Sequence, residues 1–142
     1  ENIFLFSNAL VLLFWALMIA LPVWRWTQRI IGSPWVAAPA ALLYAGLVLP
    51  RLPLLVGALA NPQLPAIAAL LGTPAGATIA WAHFLTFDLF TGRWAYLDNQ
   101  QRGLPALLMA PLLLLILLFG PLGLLLYLGA RSLKPARVPS AV

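Results

Sequence analysis

The single histidine of the chain, His83, and one of its two aspartates, Asp88, lie close together in the segment AWAHFLTFDLFTGRW. The rest of this segment is mostly apolar and is typical of a membrane-spanning helix. An ionisable side chain at membrane depth costs roughly 2.5–3.5 kcal/mol, so it indicates a functional site. An imidazole and a carboxylate are both suited to general acid–base catalysis. His83 and Asp88 are therefore the first candidates for a functional site.

On a helix, His83 and Asp88 would lie about 140° apart, so they would not share a face. Each is expected to meet a different neighbouring helix. His83 shares its face with three aromatic residues, Phe87, Phe90 and Trp94. The carboxylate of Asp88 needs donors, and the candidates are Ser7, Asn8, Tyr44 and Arg93.

Several roles remain open for these polar groups. His83 could make an interhelical hydrogen bond, act as an acid or base, or ligate the magnesium of a chlorophyll-type pigment. Asp88 could be a hydrogen-bond anchor near a helix end or an acid or base. Arg93 is most simply an interfacial cation whose stem lies along apolar surface.

The elements that position these residues are expected to be membrane helices. The chain has 142 residues, of which 63% are hydrophobic, and a mean hydropathy of +0.99. Only 8% are charged, against about 25% in soluble domains. The sequence therefore predicts an all-α polytopic membrane protein, a single domain in a bacterial inner membrane or a photosynthetic membrane.

Four transmembrane helices are predicted, over about 3–23, 34–50, 73–92 and 104–130. Prolines interrupt residues 52–72, which favours an extra interfacial or re-entrant half-helix over a fifth span. Three further prolines predict a kinked, tilted helix over 104–130. The polar stretch RWAYLDNQQR is predicted to be the loop joining the last two spans. The basic tail from Arg131 is expected to be poorly ordered.

Composition also limits the chemistry and the partners. The chain contains no cysteine, and with one histidine and three acidic residues no dedicated metal site is expected. The net charge of +5 comes mostly from cations beside apolar runs, which predicts contact with lipid headgroups rather than nucleic acid. With four spans, four basic residues fall on each side, which leaves the orientation open.

Three blocks of the sequence are similar to a known family. They are FWALMIALPVWRWTQRIIGS at 14–33, AWAHFLTFDLFTGRW at 80–94 and FGPLGLLLYLGAR at 119–131. In these blocks the chain resembles the neoxanthin synthase-like, or abscisic-acid-deficient-four-like, family of plants, algae and bacteria. The most specific block contains the pattern W-x-H-x-x-x-x-D-L-F-x-G-R-W.

The resemblance implies a four-helix membrane protein that acts on a carotenoid. In plants the family is tied to the isomerisation of violaxanthin to neoxanthin, in which an epoxide opens to an allene. Carried over to this chain, the resemblance makes His83 and Asp88 the acid and base, with Arg93 as a helper. The aromatic candidates for contact with a bound pigment, together with His83, are Trp81, Phe87, Phe90 and Trp94.

Two functions from other classes compete with this one. In the first, the chain is a non-catalytic accessory subunit of a photosynthetic pigment–protein complex and binds carotenoid, or chlorophyll through His83. The small number of polar groups favours it, because catalytic pockets usually hold several convergent ones. In the second, the chain is a transporter or channel, which needs a polar pathway that the spans scarcely offer.

Overall fold

A computed structural model describes residues 2–134, and this part of the chain is helical without strands. The prediction of an all-α protein is therefore confirmed for these residues. The basic tail predicted to be poorly ordered begins at Arg131, but α8 includes Arg131 and Ser132, so the prediction is wrong there. The tail beyond residue 134, including Arg137, lies outside the described residues. The helices are α1 (Asn2–Ala20), α2 (Arg25–Gly32), α3 (Ala38–Val48), α4 (Leu52–Ala60), α5 (Leu64–Leu71), α6 (Pro74–Arg102), α7 (Ala106–Phe119) and α8 (Pro121–Ser132).

Two helical segments of this part of the chain are long and apolar enough to cross a membrane. They are α1 and the continuous stretch Pro34–Ala60. A third is obtained if α5 and α6, which are bent by 93° at their junction, count as one span. These lengths and compositions indicate a membrane protein.

The second apolar segment runs further than the sequence predicts. Short 3₁₀ turns at Pro34–Ala37 and Leu49–Arg51 join α2 to α3 and α3 to α4. A helix end was predicted near residue 50, but the helical path continues to Ala60 because the prolines here occupy first-turn positions that need no N–H. Because α4 belongs to this apolar segment, only α5 corresponds to the half-helix predicted within residues 52–72.

The helix α6 also extends further, to Arg102, so the predicted polar loop at 93–102 is wrong. The helix ends where Gly103 adopts a left-handed conformation with φ 72°. The side chain of Asn99 holds the next residue, accepting from Leu104 N at 2.8 Å and donating to Leu104 O at 3.2 Å. The polar residues of this stretch thus form the end of a helix.

The largest difference concerns residues 104–130, where one kinked helix is predicted and two antiparallel helices are found. The chain reverses at Gly120, whose φ is +32°. A Cβ on Gly123 would overlap the backbone of Leu115 and Ile116, so α8 lies directly against α7. The kink expected from proline is instead a full turn, because glycine permits both the reversal and the close approach.

The core lies where α1, α6 and α7 meet. Helices α1 and α6 run in parallel, since Trp81 Nε1 donates to Asn8 Oδ1 at 3.0 Å and Tyr96 Oη donates to Pro22 O at 2.6 Å. Trp15 packs so closely on Gly92 that a Cβ there would overlap the indole. This packing fixes the rotation of α6 and hence the direction in which His83 and Asp88 point.

Candidate functional site

The carboxylate of Asp88 faces the turn between α7 and α8. It is half-buried, and a Cβ built on Gly120 would lie 2.6 Å from its Oδ1. Among residues 2–134 no group donates a hydrogen bond to this carboxylate. The donors predicted for Asp88 do not bond it. The Ser7 hydroxyl and the Asn8 amide, for example, both donate to Phe4 O, at 2.7 and 2.8 Å.

His83 lies among aromatic rings on the other side of α6. Its ring centroid is 5.5 Å from that of Tyr44 on α3 and 4.8 Å from that of Phe87. Asp88 meets the α7–α8 turn. The prediction that His83 and Asp88 contact different neighbouring elements is therefore confirmed.

The two side chains nevertheless line the same cavity. It has a volume of about 410 Å³ and lies between α6 and the α7–α8 turn. Besides His83 and Asp88 it is lined by Trp81, Phe84, Leu85, Phe87 and residues 117–121. An imidazole and a carboxylate can therefore both reach a molecule placed there.

A second cavity adjoins the first, because His83 and Phe84 line both. It has a volume of about 480 Å³, and its other lining residues come from α3, α4, α5 and the start of α6. Apart from His83 and Tyr44, these lining residues are apolar. The two cavities together form an apolar groove along α6, partly open at the side of the bundle, with the ionisable groups towards one end. We call this the α6 groove.

The aromatic residues predicted to contact a pigment fall into two groups. Trp81 and Phe87 line the first cavity. Phe90 points outwards, with 52% of its surface exposed. Trp94 lies away from the cavity and packs edge-on against Tyr127, with ring centroids 5.6 Å apart.

Arg93 does not donate to Asp88, as was one of the options, but to backbone carbonyls at the end of α2. Its Nε donates to Ile31 O at 2.8 Å and Ser33 O at 3.1 Å, and its Nη2 donates to Gly32 O at 2.7 Å. These carbonyls lie at the end of α2, where a helix leaves its last acceptors without partners. Arg93 thus ties α6 to the end of α2.

Sequence reasoning missed a cluster around Asp98, near the end of α6. Its carboxylate accepts from Arg102 Nε at 2.7 Å, Tyr127 Oη at 2.6 Å, and Arg131 Nε and Nη2, both at 2.9 Å. Burial raises the pKa of Asp98, but the hydrogen bonds from Arg131, Arg102 and Tyr127 outweigh it and hold that pKa well below its usual value. The only signal in the sequence is the i, i+4 spacing of Asp98 and Arg102.

Within residues 2–134, no three His, Cys, Asp or Glu side chains come together in a way that could hold a metal ion. His83 is therefore a single imidazole beside an apolar cavity in the described part of the chain. His83 would be the one imidazole in residues 2–134 able to ligate the metal of a bound pigment.

These observations define the class: a helical protein with membrane-length apolar helices and a lateral groove holding one imidazole and one carboxylate. The sequence model of the ABA DEFICIENT 4-like family matches residues 2–127. The chain therefore belongs to the ABA DEFICIENT 4-like family, which confirms the resemblance seen in its three blocks. No curated protein and no solved structure shows a significant match to it.

Proposed function

We propose that the protein binds a carotenoid in the α6 groove and isomerises it with His83 and Asp88. The observation that carries the proposal is that these two side chains line one cavity, although the helix separates them by about 140°. Membership of the ABA DEFICIENT 4-like family suggests a role related to neoxanthin formation. A groove partly open at the side suits a long apolar substrate, which would enter from the lipid.

The proposed reaction opens an epoxide at one end of a xanthophyll to an allene. A base removes a proton from the polyene carbon, and the electron pair of that C–H bond forms the new double bond. The C–O bond of the epoxide breaks, and its oxygen takes a proton from an acid to become a hydroxyl. Atoms and electrons balance, so the chemistry needs one acid and one base. His83 and Asp88 are the two groups placed to serve.

Arg93, which the family resemblance makes a helper, has a different role in this proposal. Its Nε and Nη2 donate to the carbonyls of residues 31–33. We assign Arg93 to holding α2 against α6, so its effect on the reaction is through the position of α6.

The test is conversion of an epoxy-xanthophyll in a host that makes the substrate and expresses the full chain. His83→Gln and Asp88→Asn should each lower the allenic product about 10²–10⁴-fold, the usual contribution of a general acid or base. Phe90→Leu is the matched control, since Phe90 is on the same helix but outside the cavity. The proposal fails if both variants reach wild-type conversion at equal amounts of inserted protein.

A second candidate function is binding of a pigment without catalysis, as an accessory subunit of a photosynthetic complex. The observation that favours it is the surroundings of His83, whose ring lies 5.5 Å from Tyr44, 6.1 Å from Phe84 and 4.8 Å from Phe87 between centroids. His83 would ligate the magnesium of a chlorophyll, and the neighbouring aromatic rings would pack against the pigment. In that case the partners would be other subunits of a photosynthetic membrane.

An absorption spectrum with pigment extraction separates the two functions. The protein is purified gently from its native membrane, with His83→Ala as the variant. Chlorophyll lost in the variant favours the accessory subunit. Carotenoid lost in both His83→Ala and Asp88→Asn favours the first proposal. A colourless protein leaves only a transiently bound substrate.

A further inference from the structure

Each of the helices α7 and α8 is too short to cross a bilayer. Helix α7 has 14 residues and α8 has 12. At 1.5 Å per residue these helices are about 21 and 18 Å long, whereas the hydrocarbon core of a bilayer is about 30 Å thick. Neither would pass from one side to the other.

The end of α8 returns to the start of α7. Lys134 Nζ donates to Gly103 O at 2.9 Å, and Arg102 Nη1 donates to Lys134 O at 3.0 Å. In one continuous helix, residues 103 and 134 would be about 45 Å apart. The chain therefore approaches and leaves the turn at Gly120 from the same end of the bundle.

The surface of this hairpin suits hydrocarbon. Backbone groups at the turn remain bonded, since Gly120 N donates to Ile116 O at 2.8 Å and Leu124 N donates to Gly120 O at 3.0 Å. Backbone in lipid needs such partners. Large exposed leucines follow both helices from end to end: Leu107, Leu114, Leu118, Leu122, Leu125 and Leu128.

The reversal places Arg131 and Lys134 at the end of the bundle that already holds most of the other described cations. We call this the basic end. Arg93 joins α2 to α6 at this end, and Arg102 joins α6 to the end of α8. Arg51 lies at the opposite end, beside the first residues of α1 and α6. Of the seven Lys and Arg in residues 2–134, the basic end holds Arg25, Arg29, Arg93, Arg102, Arg131 and Lys134.

We infer that α7 and α8 form a re-entrant hairpin and that the basic end faces the cytoplasm, against the anionic headgroups of that leaflet. Short cytoplasmic loops carry an excess of Lys and Arg, and anionic lipids attract such clusters. Among the seven described basic residues, a four-span path would give four against three, but the observed path places six against one. Exposed Trp24 and Trp26 lie at the same end and suit the headgroup level.

The re-entrant hairpin and its orientation do not depend on a bound pigment, and they go beyond the proposed function. The hairpin also places Gly120, and the carboxylate of Asp88 beside it, at a turn inside the bilayer reached from the cytoplasmic side. The first cavity of the α6 groove then lies within the bilayer, between α6 and the α7–α8 turn.

Single-cysteine labelling tests the inference, because the chain has no cysteine of its own. Three exposed positions are chosen: Gln28→Cys on α2, Ser132→Cys at the end of α8 and Gln63→Cys between α4 and α5. The full chain is expressed in a bacterial inner membrane, and spheroplasts are treated with a membrane-impermeant maleimide. We expect Gln63→Cys to label in intact spheroplasts, and Gln28→Cys and Ser132→Cys to label only after permeabilisation.

Two results would overturn the inference. Labelling of Ser132→Cys together with Gln63→Cys, but not with Gln28→Cys, would mean that residues 104–130 cross the membrane. Labelling of Gln28→Cys and Ser132→Cys in intact spheroplasts, with Gln63→Cys protected, would reverse the orientation. Leu133→Cys and Asn61→Cys, also exposed, repeat the comparison if a first variant is not inserted. The cysteine-free parent supplies the background.

Discussion

The helix α6 carries two aspartates in opposite surroundings. Asp98 accepts four hydrogen bonds from three side chains, and two of its partners are on or next to α8. Asp88 lies beside the glycine of a turn, and among residues 2–134 no donor reaches its carboxylate. The same residue type thus serves as a fully bonded anchor in one place and an unbonded group beside a cavity in the other.

The difference separates stability from function on one helix. Asp88 is half-buried beside the cavity, and no donor from residues 2–134 bonds its oxygens, so they can bond a molecule held there. The oxygens of Asp98 already accept four hydrogen bonds. We therefore expect Asp98 to matter for the fold and Asp88 for what the α6 groove holds.

The largest expected effect comes from replacing each aspartate with alanine. Asp98→Ala removes the acceptor of four hydrogen bonds in a partly buried cluster, and since a hydrogen bond to a charged group contributes roughly 1.5–3 kcal/mol, the loss should be about 3 kcal/mol. Asp88→Ala removes no hydrogen bond and should change the free energy of unfolding by less than about 1 kcal/mol. Unfolding in mixed micelles, followed by circular dichroism, measures both. Equal losses of stability would remove the distinction between the two residues.

The second effect concerns the hairpin that contacts both aspartates. Gly123→Ala should destabilise the protein by about 2 kcal/mol, since forced overpacking typically costs 1–3 kcal/mol. Its Cβ would overlap the backbone of α7. Gly129→Ala, on the same helix but facing open space, is the control and should be neutral or slightly stabilising.

The melting temperatures of the two glycine variants, measured in one detergent, check this prediction. A tolerated Gly123→Ala would mean that α8 does not lie directly on α7. In that case the packing of α8 would no longer explain how Arg131 and Tyr127 reach Asp98.

The third effect is a loss of stability in acid, which the ion pairs of Asp98 should produce. Its pKa is lowered in the folded state, so its contribution to stability is complete above the unfolded value of about 3.9. The contribution is lost as the pH falls below that value towards the folded pKa. Asp98→Asn should therefore flatten the fall in melting temperature between neutral and strongly acidic pH. An unchanged acid profile in this variant would contradict the role given to its ion pairs.

The sequence predicted the all-α class of fold, and it selected the helix of the candidate site, because both depend on local composition. Apolar runs of membrane length predict helices. Ionisable residues are rare within these runs, so His83 and Asp88 stand out in the run that forms α6. The helical angle between these two residues also predicted correctly that they meet different neighbours.

The path of residues 104–130 and the cluster at Asp98 could not be predicted in this way. A Gly–Pro pair at 120–121 is compatible with a kink or with a complete reversal, and only the packing of Gly123 on α7 decides between them. Tyr127 and Arg131 reach Asp98 because the chain reverses. The error about the hairpin therefore also hid the ion pairs and divided the cations equally between the two sides.

The smallest expected effect concerns Trp81, which lines the first cavity of the α6 groove two helical turns before Asp88. Trp81→Phe removes the bond from the indole N–H to Asn8 Oδ1, 3.0 Å long, and should cost about 1 kcal/mol of stability. The ring of Phe4, whose centroid is 5.6 Å from that of Trp81, keeps an aromatic partner in the variant.

Asn8→Ala serves as the comparison for Trp81→Phe, because it removes the same bond from α1, together with the local bond from Asn8 to Phe4 O, and leaves the lining of the groove unchanged. If both variants lose similar stability but only Trp81→Phe changes pigment retention or conversion, the indole contacts the bound molecule. If the two variants behave alike in both measurements, Trp81 acts only by joining α1 to α6. The site near Asp88 is then limited to His83, Phe84, Phe87 and the hairpin turn.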